Sequence, residues 1–99
     1  MKLIAIYDQP DDPDAFDEAY FGTHLPLLQK VPGLERTEVT RFTRTVMGEG
    51  KYMMAVMHFK DADALKEGMR SSEMQAAGEN LNSFAEGLVS LMYGQPEDV

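Results

Sequence analysis

Three segments of this chain are apolar at nearly every strand position: Leu3-Ile4-Ala5-Ile6, Tyr52-Met53-Met54-Ala55-Val56-Met57-His58-Phe59 and Leu88-Val89-Ser90-Leu91-Met92-Tyr93. Successive side chains of a strand point to opposite faces, so strands patterned this way need cover on both. Ninety-nine residues, 43% of them hydrophobic, allow one domain. A domain of that size buries roughly 60–68% of the surface its unfolded chain exposes, and its own helices can cover one face of a sheet. Cover for the other face must come from outside the domain, and a second copy of the chain is the simplest source.

The spacing of apolar and turn residues orders the elements. Lys2 to Tyr7 reads as a strand ending at a Pro/Asp turn, and Asp12-Pro13 as a helix start, with Phe16, Ala19 and Tyr20 at helical spacing. Gly22 is the expected stop, after which Thr23 caps a short helical piece that tolerates Pro26 near its start. That piece is anchored by Leu25, Leu27, Leu28 and Val31, and Pro32-Gly33 turns the chain. Leu34 to Val46 lacks a clean period and predicts a long, partly exposed or bulged strand, closed by a hairpin turn at Gly48-Glu49-Gly50. Tyr52 to Phe59 is the next strand. Asp61 to Met69 predicts a helix, and Ser72 with Gln75 a capping box opening another whose apolar face is Met74, Ala77, Leu81 and Phe84. Gly87 to Tyr93 is the last strand, and the acidic tail from Gly94 to Val99 is expected to be mobile.

The order β-α-β-β-α-β, without repeat or linker, is the split βαβ arrangement. The expected fold class is α+β, one ferredoxin-like domain over residues 1–99 with a four-stranded antiparallel sheet and helices on one face.

Seventeen acidic residues against nine basic ones give a formal net charge of -8. That balance repels phosphates and anionic lipid, so neither nucleic acid nor membrane is an expected partner. No secretory signal pattern opens the chain and no apolar run is long enough to span a bilayer, which predicts a cytoplasmic protein. The chain has no cysteine, so disulfides, thiolate metal sites and cysteine nucleophiles are excluded. Acidic residues cluster at Asp8, Asp11, Asp12, Asp14, Asp17 and Glu18 beside the first helix start, where negative charge complements the helix dipole. Two prolines and the missing central glycine exclude a calcium loop there.

Chemistry is concentrated on His24, in Tyr20-Phe21-Gly22-Thr23-His24-Leu25-Pro26-Leu27-Leu28. An imidazole titrates near neutral pH, so one held beside apolar groups can serve as general acid or base. The plainer reading is a structural histidine bonding a carbonyl at a helix end. Tyr7, Tyr20, Phe21, Tyr52 and Phe84, with Leu28 and Met54, could frame a mostly apolar pocket with polar tips, suited to a small organic ligand. His58 shares a strand face with Tyr52, Met54 and Val56 and could reach that pocket or a dimer interface. Two histidines without a clear third ligand make a poor metal site, although a carboxylate such as Asp8 could complete one by tertiary approach, and no metal is expected. No phosphate loop or nucleophile elbow is present, and no cofactor is expected.

Several of these segments occur in an ordered combination: a first strand ending in Tyr-Asp, Asp-Pro-x-x-Phe at 12–16, Tyr20-Phe21-x-Thr23-His24-x-Pro26-Leu27, Val31-Pro32-Gly33-Leu34, Met74-Gln75-Ala76-Ala77 and Asn82-Ser83-Phe84-Ala85. Over the whole domain the chain resembles the EthD family of dimeric α+β barrel proteins. The resemblance implies a homodimer in which two sheets pack face to face with helices outside, as the uncovered face requires. That family takes its name from a protein associated with bacterial degradation of ethyl tert-butyl ether, and relatives of its barrel include methylmuconolactone isomerases and cofactor-free monooxygenases. In those isomerases a histidine in a similar His-x-x-Leu setting lines the active site, and His24 with Leu27 matches it. Tryptophan, which some such monooxygenases use, is absent from this chain.

Two functions follow as expectations. One is a homodimer binding a small hydrophobic or aromatic intermediate and catalysing cofactor-free proton transfer or isomerisation through His24. The other is a non-catalytic accessory protein of an oxygenase or ether-degradation pathway that sequesters a ligand or product.

Overall fold

A computed structural model describes residues 1–99. Its elements are β1 (Lys2–Tyr7), α1 (Pro13–Ala19), a π-helical turn (Tyr20–His24), α2 (Leu25–Leu28), β2 (Leu34–Arg41), β3 (Met53–Phe59), α3 (Ala62–Met69), α4 (Ser72–Ala85) and β4 (Val89–Gly94). The strands form one antiparallel sheet in the order β2-β3-β1-β4, the ferredoxin-like arrangement expected from the element order. No helix is long and apolar enough to cross a membrane.

Local chemistry accounts for most boundaries. The Asp12 carboxylate accepts from the Ala15 amide at 3.1 Å and Pro13 opens α1, while the Asp61 carboxylate accepts from the Ala64 amide at 2.9 Å to open α3. Three sequence expectations are corrected. α4 is capped by Ser71, whose hydroxyl accepts from the Met74 amide at 3.1 Å, and not by Ser72, whose hydroxyl donates to Glu73 instead. Gly22 does not stop the first helix: the chain widens into the π-helical turn and continues into α2, and Thr23 is no cap. Pro26 cannot donate to the helical ladder, and a wider turn closed by the Leu25 amide on the Tyr20 carbonyl carries the chain past that missing bond.

The third correction concerns β2, which ends at Arg41 rather than Val46. The Phe42 amide still bonds the Tyr52 carbonyl at 3.1 Å, but beyond it the polar and glycine-rich residues to Lys51 form no strand. The register shifts between Leu34 and Arg36, so the expected bulge is present at the start of the strand.

The sheet divides its side chains cleanly. Leu3, Ala5 and Tyr7 of β1 and Met53, Ala55, Met57 and Phe59 of β3 are buried under the helices. Phe16, Tyr20, Leu28, Leu65, Ala77, Leu81 and Ala85 meet them from the helices to complete the core. On the opposite face the register aligns Ile4 with Val56 and Met92, Ile6 with Met54 and Ser90, and Glu38 with Val56. Nothing within the single chain packs over that face, and its Ile4, Ile6, Met54 and Val56 remain half-buried.

Candidate functional site

Between the helical face of the sheet and α4 lies a cavity of about 430 Å³, lined by fifteen residues of which ten are hydrophobic. Its floor comes from β1 and β3 through Leu3, Ala5, Tyr7 and Met57, with Leu91 of β4 at the side. His24 and Leu28 close it from the π-helical turn and α2, and Met74, Ala77 and Leu81 from α4. The helical spacing of those α4 residues is what turns an apolar stripe toward the sheet.

His24 is 4% exposed, and its Nδ1 is buried without a hydrogen-bond partner. The imidazole lies against Tyr20 at a ring separation of 5.4 Å and against Phe84 at 6.0 Å. Burial pushes its pKa below the usual histidine value, and the nearby Asn80 side chain and Ala77 backbone oppose part of that effect. The imidazole is therefore neutral at pH 7 and able to accept a proton.

Tyr7 and Tyr20 pack edge to face at 5.5 Å. Burial, reinforced by Tyr20, raises the Tyr7 pKa far above that of a free phenol, and burial pushes Tyr20 up to about 12. Both hydroxyls stay protonated across the physiological range, and that of Tyr20 is a second buried polar atom without a partner.

The residues singled out in the sequence divide into four groups. His24, Tyr7 and Leu28 line the cavity. Tyr20 and Phe84 stand one layer behind, packed on the His24 ring. Phe21 is 41% exposed and flanks Tyr20 from outside. Tyr52 donates to Asp17 at 2.7 Å, and the Arg41 guanidinium sits 5.2 Å from its ring centre and 5.9 Å from that of Phe21. Met54 and His58 face away from the cavity on the open side of the sheet, where His58 Nε2 lies 2.6 Å from Glu38 Oε1. That contact, with Arg36 beside it, holds the Glu38 carboxyl below its usual range. The two histidines thus lie on opposite faces of the sheet and do not converge on a common ion, and Asp8 is paired with Lys51 at 2.7 Å.

Sequence reasoning missed Arg70, Ser71 and Gln75, which also line the cavity. Ser71 and Gln75 lie in the segment where a cap was expected, but no periodicity distinguishes a polar residue at a cavity mouth from one in open solvent.

The neutral, buried His24 has a consequence for stability. Its folded pKa is lowered, so below the usual histidine value of about 6.5 the unfolded chain takes up a proton that the folded chain refuses. Stability should fall with pH from that point, by no more than about 1.4 kcal/mol at pH 5.5 from this group. Urea unfolding at pH 7.5 and 5.5 tests this: His24→Gln should lose less stability than the unmodified chain over that interval. Equal losses would show that His24 is not held neutral by burial.

The fold is that of an α+β protein of the ferredoxin-like class, with a mostly apolar cavity open to solvent on one side. The family model of the EthD domain matches residues 9–87, and the chain belongs to the EthD family. It is similar to the crystal structure of an ethyl tert-butyl ether d (EthD) family protein from Bacillus halodurans C-125, with 45% identity, 97% of each chain covered and a TM-score of 0.91. An uncharacterized 11.0 kDa protein of the thcB-thcC intergenic region of Rhodococcus erythropolis is 29% identical over 100 residues, covering 99% of this chain and 96% of that one. A dimeric ferredoxin-like protein of unknown function from Jannaschia sp. CCS1 shares the fold at 18% identity and a TM-score of 0.67, with 92% and 93% of the chains covered.

Proposed function

We propose that the protein is a homodimer, each chain of which binds a small apolar or aromatic organic molecule in the cavity under α4, with His24 acting as acid/base in a cofactor-free proton transfer or isomerisation. The observation that carries this reading is the buried His24 imidazole in the lining of a mostly apolar cavity. A neutral imidazole there can take a proton from a carbon acid or hydroxyl and return it elsewhere on the same molecule, while the Tyr7 phenol stays available as a donor.

The dimer is supported by the open sheet face, whose apolar residues have no cover within the chain, and by the dimeric assembly of the Jannaschia protein. A face of this kind is self-complementary about a two-fold axis, which is how two such sheets would close.

A non-catalytic role, sequestering a ligand or reactive product, is favoured by a separate observation. His24 is the only imidazole or carboxylate side chain lining the cavity, so proton transfer between two points of a ligand would rely on one group. Turnover of a panel of lactones and quinols by the unmodified protein and His24→Gln separates the two. Catalysis predicts a loss of at least about a hundredfold in His24→Gln, with dimer mass and ligand-induced thermal stabilisation retained. Stabilisation of the unmodified protein by a panel member without any product assigns the sequestering role.

A further inference from the structure

Acidic residues outnumber basic ones seventeen to nine in this chain, yet none of the fifteen residues lining the cavity is Asp or Glu. Its single charged residue is Arg70. An adjoining cavity of about 350 Å³ shares Met69 and Arg70 with the first, adds Lys66, and is likewise free of acidic residues. Lys66 and Arg70 are one helical turn apart at the end of α3, so they stand on the same side of it.

Arg70 has no carboxylate partner, whereas Arg36, Arg41 and Lys51 all form ion pairs with this chain's own acids. Its root is rigid: the Arg70 amide bonds the carbonyls of Lys66 and Glu67, and the Ser71 hydroxyl donates to the Gly68 carbonyl while capping α4. Ser71 and Gln75 add polar atoms to the same rim.

We propose that the cavity selects anionic ligands, specifically small carboxylic acids whose apolar or aromatic body lies against the sheet while the carboxylate is held at the mouth by Arg70, with Lys66 adding positive charge. This rests on the reading that the cavity binds a small organic molecule, and it names the class of that molecule. A guanidinium presents a planar fork matching both oxygens of a carboxylate, and a mouth free of acids keeps that fork available. In a protein of net charge -8, which repels anions at long range, such a cation sets which anions are retained.

Matched probes test it. Phenylacetate, 3-phenylpropionate and 4-phenylbutyrate are titrated against the corresponding neutral amides, calorimetrically at low and high salt. The full chain is compared with Arg70→Gln and with Arg44→Gln, a cation of the loop after β2 that lines neither of these cavities. At least one acid should bind about tenfold or more tightly than its amide. Arg70→Gln should bring that pair within about twofold, and Arg44→Gln should leave the preference intact. Amides binding as tightly as acids would overturn the anion assignment and leave the cavity reading standing. A preference surviving in Arg70→Gln would overturn the role of Arg70, and no binding of any probe would overturn both readings.

Discussion

Val56→Lys should convert the protein from a dimer to a monomer of 11.1 kDa by light scattering at micromolar concentration, with its circular dichroism spectrum retained. Val56 lies at the middle of the open face, opposite Ile4 on one side and Glu38 on the other. In the dimer proposed above, a two-fold axis presents each substitution to the interface twice. Burying an added ammonium group twice in a contact whose centre is apolar, with only the Glu38 carboxylate across from each, should weaken association by about 3 kcal/mol or more, at least about a hundredfold in Kd. In the monomer the same lysine reaches water by extending along the sheet, so the fold survives. Ala76→Lys, on the exposed side of α4, is the matched control and should remain dimeric. An unmodified protein running at 11.1 kDa, or a Val56→Lys variant that stays dimeric, would remove the dimer from the proposal.

The second large effect concerns the scaffold that holds His24. Phe16 is 3% exposed and packs on four aromatic rings: Tyr7 at 5.4 Å, Phe84 at 5.4 Å, Tyr52 at 5.6 Å and Tyr20 at 6.1 Å. Phe16→Ala removes those contacts and leaves a cavity, at a cost of about 3–5 kcal/mol. For a chain of this length the melting temperature should fall by roughly 12 °C or more, compared at one protein concentration. Phe21→Ala, three-fifths buried at the edge of the same cluster, should cost about 1 kcal/mol. The contrast matters because Tyr20 and Phe84, which brace the His24 imidazole, are themselves braced by Phe16. A Phe16→Ala variant no less stable than Phe21→Ala would show that this cluster does not carry the fold.

Much of the fold is legible from local chemistry. β1 matches its sequence expectation residue for residue because its continuous apolar run ends at a proline-acidic turn, and Asp12 and Asp61 announce their helices because an N-cap carboxylate satisfies backbone amides that nothing else can reach. The misread positions are those where neighbours in space outweigh neighbours in sequence. Gly22 resembles a helix stop, but burial of Tyr20, His24 and Leu28 on one side of the continuing helix outweighs the weak breaking tendency of one glycine. β2 looks long because threonine and valine favour strands, but a strand persists only as far as its partner, and β3 begins at Met53.

The candidate site divides along the same line. Residue chemistry alone makes His24 the first suspect, and it lines the cavity beside Tyr7 and Leu28. The strand period of two already separates Met53, Ala55 and Met57 from Met54, Val56 and His58. Which set lies under the helices is decided only when α4 packs on the sheet.

The amino-acid sequence by itself determined the element order, the ferredoxin-like α+β class, the apolar character of β1 and β3 on both faces of the sheet and the prominence of His24. Each of these follows from spacing along the chain, and a period of 2 or 3.6 is a local property. Only the tertiary structure decided that His24 and His58 lie on opposite faces, that the Nδ1 of His24 is buried without a partner, and that Arg70 stands unpaired at a cavity mouth free of carboxylates. Those facts depend on which residues far apart in the chain come within a few ångströms of each other, and that is settled by packing, for which sequence spacing carries no signal.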